Sequence, residues 1–121
     1  MMSNFYKKNK CNNKKVTING IKFDSKLESK RYIFLKHKED IGEISNLELQ
    51  TKIICQDKFK DRDGKSIREI LYRPDFEYIR DGEKVIEDAK GFVMPLFKIK
   101  MKMLKAKGIY VDIVKTAGEW R

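Results

Sequence analysis

The sequence predicts a mixed α/β domain in which helices flank a central mixed β-sheet. Three observations support this class: hairpin turns at Asn19-Gly20 and Asp81-Gly82, a capped helix between them, and a lysine-rich segment near the C-terminus that favours helix. The 121 residues have room for one such domain and not for two independent cores. We expect residues 15–121 to form it.

Residues 1–14 hold several lysines and asparagines, no acid and no hydrophobic periodicity. This composition predicts a flexible basic arm. A frayed terminus without a role is an equally good reading.

The elements follow from local patterns. Ser25 and Glu28 form a capping-box pattern, in which Asp24 is the alternative cap, and Gly42 is a typical helix stop. In chain order the patterns predict a hairpin (16–18 and 21–23), a helix ending at Asp40 or Ile41, a strand or bent strand pair (44–56), a surface loop turning at Asp63-Gly64 (57–65), two strands (67–79 and 84–90), a helix (95–107) and a final strand (109–115).

The segment 95–107 carries two competing patterns. Its apolar residues alternate with lysines between positions 97 and 103, which is typical of a strand. Its residue types favour helix, however, and Pro95 suits a first helical position. We therefore predict a helix. Three lysines then form one stripe along it: Lys98, Lys102 and Lys105.

Composition limits the partners and the compartment. The 28 Lys+Arg and 18 Asp+Glu give a formal net charge of +10, for which nucleic acid is the commonest partner, although an acidic membrane surface or protein would also fit. Apolar runs are too short for a membrane span or a secretory signal. Cys11 and Cys55 lack metal-ligand spacing, which predicts free thiols in a reducing cytoplasm. His37, the single histidine, is predicted to be a surface residue.

The hairpin around Asp81-Gly82 carries the residues with chemistry. If those two residues form the whole loop, counting back along both strands places Asp75 opposite Asp88. The same count places Arg73 opposite Lys90. Facing carboxylates repel each other, and a divalent cation between them removes the conflict; such oxygen ligands suit Mg²⁺. A longer loop or a bulge would spoil this register.

A plainer interpretation is that both acids lie on a solvated sheet face, where Lys90 and Arg73 neutralise them. The apolar neighbours Val85, Ile86 and Ala89 weigh against it, because they predict an interior strand in which unpaired charge is costly.

Pro74-Asp75, twelve intervening residues and Asp88-Ala89-Lys90 resemble the motif of the PD-(D/E)XK nuclease superfamily. The wider sequence is similar to small phage-encoded, junction-resolvase-like members from about Val16 to Val114. Four segments carry this likeness: FDSKLESKRY (23–32), LELQ (47–50), YRPDFEY (72–78) and VIEDAKG (85–91). The resemblance implies a restriction-endonuclease-like fold and a DNA endonuclease of recombination, replication or packaging. Mg²⁺, which Mn²⁺ can replace, would support phosphodiester hydrolysis leaving a 5′-phosphate.

The resemblance also implies roles for particular residues. The catalytic set would be Glu28, Asp75, Asp88 and Lys90. The metal would be held by Asp75, Asp88 and the backbone carbonyl of Ala89, with Glu28 as a further candidate. The DNA contacts would come from Lys98, Lys102, Lys105, Arg73 and Gln50. Glu28 also shares a helical stripe with Tyr32 and Leu35, although the capping box alone would explain it; a solvated face would explain the lysines.

Two other classes of function stay open: a non-catalytic DNA-binding module on the same fold, and a basic protein that binds an acidic partner. Charge does not separate them from a nuclease, but facing carboxylates serve no purpose in pure binding. The resemblance implies three kinds of partner: DNA, a second copy of the chain, because many relatives are dimers that cut two strands with two sites, and replication or recombination proteins of a phage or its bacterial host. The cytoplasm of that host would then be the compartment. The DNA cut is left open among branched junctions, nicked duplexes and replication intermediates, and so is a partner-dependent transposition endonuclease.

Overall fold

The computed structural model describes residues 15–120, so the predicted basic arm and Cys11 lie outside the described residues. Within that range the helices are α1 (Lys26–Asp40) and α2 (Pro95–Ala106). The strands are β1 (Val16–Ile18), β2 (Ile21–Phe23), β3 (Ser45–Leu49), β4 (Ile53–Gln56), β5 (Phe59–Lys60), β6 (Ser66–Ile67), β7 (Ile70–Tyr72), β8 (Phe76–Arg80), β9 (Glu83–Ala89) and β10 (Asp112–Val114).

The central sheet has four strands in the order β10-β9-β8-β3. β8 is antiparallel to both β9 and β3, whereas β10 runs parallel to β9. Asp81 and Gly82 have positive φ angles of 53° and 80° and form the two-residue turn, so that Arg80 pairs with Glu83 as predicted. The predicted mixed sheet is confirmed, and β9 is an interior strand.

The two helices cover opposite faces of this sheet. Tyr32 and Leu35 of α1 belong to a buried apolar cluster that also contains Phe76 of β8. Phe97 and Leu104 of α2 belong to a second cluster, whose other buried members are Cys55 and Tyr72. The structure is thus a sheet between two helical layers, with one core on each side.

Adjacent residues of β9 therefore face different cores. Glu87 is paired with Phe76, which packs under α1. Asp88 is paired with Ile113, which packs against the α2 cluster. Because neighbouring side chains of a strand point to opposite faces, Glu87 lies on the α1 side and Asp88 on the α2 side.

The predicted helix boundaries are confirmed. The Ser25 side chain accepts a hydrogen bond of 3.1 Å from the backbone N–H of Glu28 and caps α1. Gly42, at φ +82°, follows the end of this helix. Pro95 is the first residue of α2. No helix within residues 15–120 is long and apolar enough to cross a bilayer.

The predicted strand 67–79 is wrong as one element. β7 ends at Tyr72 and β8 begins at Phe76, because the buried Pro74 between them has no N–H to donate to a ladder. β7 pairs with β4 in a separate two-stranded sheet. The predicted loop 57–65 also differs, since a short β5–β6 hairpin closes over the turn at Gly64. The final strand is shorter than predicted and covers Asp112–Val114 only.

Candidate metal centre

Three acidic side chains from three elements converge at one end of the sheet. Glu28 comes from the first turn of α1, Asp75 directly precedes β8, and Asp88 is the second-last residue of β9. The carboxyl groups of Asp88 and Glu28 both lie close enough to Asp75 to raise its pKa. Glu28 and Asp88 are only 6% and 3% exposed. The structure therefore brings the predicted acids together in a place with little access to water.

The backbone around Asp75 departs from the predicted register. Asp75 is not a ladder partner of Asp88, because regular pairing between the two strands ends at Phe76. Its Oδ2 atom instead accepts a hydrogen bond of 2.9 Å from the backbone N–H of Ala89. The predicted pairing of Arg73 with Lys90 is likewise not formed, since Arg73 is exposed and lies outside both β7 and β8.

Gln50 lies beside Asp75, where the resemblance placed it. Its Nε2 atom donates to Asp75 Oδ1 at 3.3 Å, and its backbone N–H donates to the Asp75 carbonyl at the same distance. Gln50 has a φ of 52°, in the left-handed region that costs a non-glycine residue of order 1–3 kcal/mol. This conformation directly follows β3 and holds the amide side chain against the acid cluster.

Burial and mutual repulsion perturb these carboxyl groups. Burial, together with the neighbouring Asp88 and Glu28, raises the pKa of Asp75 to about 9, although the Ala89 N–H acts in the opposite direction. The pKa of Glu28 is also raised, mainly by burial and by the charges of Asp24 and Asp88. At neutral pH Asp75 therefore keeps its proton, which removes its charge repulsion with the neighbouring acids.

Tyr72 and Lys90 complete the surroundings of Asp88. The Tyr72 hydroxyl donates a hydrogen bond to Asp88 Oδ2, and burial followed by the Asp88 charge raises the pKa of Tyr72, so it stays a neutral donor. Lys90 Nζ lies 3.9 Å from the same carboxylate oxygen and 4.8 Å from the centre of the Phe97 ring. The Lys90 side chain is 30% exposed, which leaves its ammonium group accessible from solvent.

The donor atoms suit a hard cation, but the side chains do not form a three-ligand set. Among residues 15–120 no group of three or more His, Cys, Asp or Glu side chains is arranged to hold a metal ion. Asp75 and Asp88 offer carboxylate oxygens, which are the ligands that Mg²⁺ prefers. The pair therefore fits Mg²⁺ by chemistry, with Ala89 next to it and Glu28 in contact with Asp75.

A buried ion pair on the other face was not predicted from the sequence. Arg31 of α1 donates two hydrogen bonds to the Glu87 carboxylate, at 2.9 and 2.7 Å. Its remaining donor Nη1 binds the carbonyls of Ala117 and Glu119, and Tyr78 donates to Glu87 as well. Arg31 follows Glu28 by three residues and Glu87 precedes Asp88, so this pair ties together the two elements that supply acids to the centre.

A cavity of about 350 Å³ adjoins that ion pair, and Arg80 and Trp120 help to line it. The buried charges in its wall, Arg31 and Glu87, already bind each other. It lies on the α1 face, away from Lys90, and is not the candidate metal centre.

The lysines predicted to contact DNA are all exposed along α2: Lys98, Lys102 and Lys105. Cys55 is a buried free thiol whose pKa is raised by burial. His37 is exposed, as predicted.

Fold and site together define a mixed α/β protein in which Asp75 and the buried Asp88 lie beside a lysine at one end of the central sheet. The chain belongs to the family described as "Protein of unknown function (DUF1064)", which matches residues 8–120. No curated protein and no solved structure matches the chain.

Proposed function

We propose that this protein is a Mg²⁺-dependent DNA endonuclease that hydrolyses phosphodiester bonds. The observation that carries the proposal is the convergence of Asp75, Asp88 and Lys90 at the end of β9. Neighbouring acids at a site with little solvent weaken a fold, because the charged forms are desolvated and repel each other; here they raise the pKa of Asp75. Such perturbed groups are characteristic of functional sites.

Asp75, Asp88 and the carbonyl of Ala89 would hold the ion, either Mg²⁺ or Mn²⁺, with Glu28 as a further candidate ligand. When bound, the ion polarises the scissile phosphate and lowers the pKa of an attacking water. Asp75 must lose its proton to accept the ion.

The neighbouring groups keep both acids in place. Tyr72 fixes one oxygen of Asp88, while Gln50 and the Ala89 amide each fix one oxygen of Asp75. Hydrogen bonds of this kind to metal-binding groups orient them and contribute to affinity.

Lys90 would act on the phosphate. Its ammonium group rests on the Phe97 ring and stays partly accessible. It orients the attacking water and stabilises the negative charge that develops on the phosphorane-like transition state. Five further parts of this proposal rest on the sequence resemblance: the product with a 5′-phosphate, the action on branched or replicating DNA, the homodimer, the phage or host partners and the bacterial cytoplasm.

A cleavage assay tests the proposal. Purified protein is incubated with junction, flap, duplex and single-stranded DNAs in Mg²⁺, Mn²⁺ or EDTA. We expect metal-dependent cleavage, and a loss of about 10²-fold or more in Asp88→Ala and Lys90→Ala. Glu48→Ala and Lys22→Ala remove exposed residues of the same charges and should cut at the parental rate. Parental activity in either site variant would refute the assignment.

A further inference from the structure

A group of large apolar side chains is exposed immediately after the candidate centre. Phe92 is 73% exposed and Met94 56% in the loop that joins β9 to α2, and Leu96 and Ile99 at the start of α2 are 61% and 52% exposed. Single exposed apolar residues are ordinary, but several within one short segment indicate a contact surface. We call Phe92, Met94 and Leu96 the apolar edge.

The apolar edge is anchored to the catalytic group. Phe92 follows Lys90 by two residues, so their Cα atoms are within about 7 Å of each other. The following helix is held by Phe97, whose ring contacts Lys90 Nζ and packs at 5.9 Å against the ring of Tyr72. Tyr72 in turn binds Asp88. The segment that bears the apolar edge thus begins at Lys90, which lies beside Asp88, and ends at Phe97, which contacts Lys90 and Tyr72.

The charge around the apolar edge identifies its partner. From Lys90 to Val111 the chain has six lysines and no acidic residue: Lys90, Lys98, Lys100, Lys102, Lys105 and Lys107. A second copy of this chain would bring the same lysines and a net charge of +10 to the contact, which opposes self-association through this surface. A polyanion is favoured instead. In DNA the phosphates on both sides of a base step suit the lysines, and the bases between them suit the apolar side chains.

We propose that Phe92 and Met94 insert between base pairs next to the phosphate that is cut, while the lysines of α2 hold the flanking phosphates. Side chains of this type unstack a base step and kink the duplex when they enter it. The inference rests on the proposed nuclease function, and it implies that DNA whose base pairs beside the scissile phosphate are already unpaired or easily unstacked, as at branch points and nicks, fits the site at the least cost.

A preference among substrates follows. Fully paired DNA must be unstacked before it fits, whereas a branch point offers open bases without that cost. Removing the aromatic ring should therefore slow the cutting of paired duplex more than the cutting of a branched substrate.

The test uses duplex and three-way-junction DNA with 2-aminopurine, whose fluorescence rises when it is unstacked, at each position around the mapped cleavage site. Binding is measured with Ca²⁺ in place of Mg²⁺, and cleavage with Mg²⁺. The variants are Phe92→Ala, Phe92→Leu and, as a matched control, Phe59→Ala, which removes a 49% exposed ring from the separate β5–β6 hairpin. Thermal unfolding checks that each variant is folded.

We expect the parental protein and Phe59→Ala to brighten one or two adjacent reporters, Phe92→Leu to keep most of this signal, and Phe92→Ala to lose it. Cleavage of paired duplex by Phe92→Ala should fall about tenfold or more, the scale of a lost base-step insertion, and cleavage of the junction clearly less.

Unchanged brightening and cleavage in Phe92→Ala would overturn the insertion while leaving the nuclease function standing. So would a Phe92→Ala effect confined to self-association in sedimentation, because the apolar edge would then be a protein interface. A parental protein that cuts no DNA with any metal would overturn the nuclease function itself and this inference with it.

Discussion

Burial, two acidic neighbours and a backbone donor all act on the carboxyl group of Asp75. The Ala89 N–H and the Gln50 amide favour the charged form, but burial and the contact with Asp88 outweigh them and raise the pKa to about 9. The folded protein without metal therefore stores a proton at a position where the unfolded chain, with an ordinary Asp pKa near 3.8, would release it.

The stability of the metal-free protein should accordingly depend on pH through the ionisation of Asp75. Because the folded-state pKa is raised, the contribution of Asp75 to stability is fully present below about pH 3.8 and is lost as the pH rises through about 9. Asp75→Asn imitates the protonated acid and should gain stability relative to the parental protein from pH 5 to pH 9. Urea unfolding in EDTA measures the difference in free energy of unfolding between Asp75→Asn and the parental protein. A difference that does not change with pH would contradict the raised pKa of Asp75.

At the scale of elements, the buried Arg31–Glu87 pair joins α1 to β9. Both side chains are almost fully buried, at 2% and 3% exposure, and the guanidinium meets the carboxylate through two parallel hydrogen bonds. Glu28 and Asp88 lie on the same two elements. We infer that this pair fixes the distance between these acids.

Arg31→Met should destabilise the fold by about 3–5 kcal/mol, because it leaves the Glu87 carboxylate buried and unpaired. Adding Glu87→Gln removes that charge while keeping an acceptor for Tyr78, so the double variant should recover part of the loss. Lys36→Met, which breaks the exposed Lys36–Glu39 pair, is the control and should have little effect. Urea unfolding of the four proteins measures this; an Arg31→Met protein as stable as Lys36→Met would be inconsistent with the proposed role of the pair.

Local signals predicted most of these elements. The Asn19-Gly20 and Asp81-Gly82 turns, the Ser25 cap and Pro95 at the start of α2 each depend on a few neighbouring residues, and each is confirmed. The hairpin count was correct for β8 and β9, and it failed where Pro74 ends the ladder. Counting positions cannot show that regular pairing stops before Asp75, or that the Asp75 side chain then binds the backbone N–H of Ala89 at the end of β9.

The site was predicted in part for the same reason. Asp75, Asp88 and Lys90 stand in a short pattern, and the resemblance to known nucleases added Glu28 and Gln50. In the structure Asp88, Glu28 and Gln50 lie next to Asp75, whereas Lys90 lies beside Asp88. Tyr72 and Arg31 were missed as partners of the buried acids. Their contacts join residues 16 and 56 positions apart, and a single sequence carries no signal of such distant contacts.

At the scale of the whole molecule, the net charge of +10 should act mainly through α2. The exposed stripe Lys98, Lys102 and Lys105 lies on the helix anchored by Phe97 to the candidate centre. If these lysines bind phosphates, each releases counterions on binding and contributes about 0.9 to the slope of log affinity against log salt concentration.

Replacing the three α2 lysines by alanine should therefore lower that slope by up to about 0.9 for each phosphate that the helix no longer binds. The matched control replaces three exposed lysines with the same total charge: Lys15 just before β1, Lys22 in β2 and Lys30 in α1. Fluorescence anisotropy with labelled DNA over a series of salt concentrations gives both slopes. Equal slopes in the two triple variants would show that binding follows net charge alone.

The central claim is that Asp75 and Asp88 bind a divalent cation and that Asp75 gives up its proton when the cation binds. Calorimetric titration of Mg²⁺, and of Mn²⁺, into the parental protein in two buffers of different ionisation enthalpy tests it most directly. We expect binding with release of a proton, seen as a heat that depends on the buffer, and loss of that binding in Asp88→Asn. The claim would be contradicted if neither ion bound, or if Asp88→Asn bound the ions as well as the parental protein does.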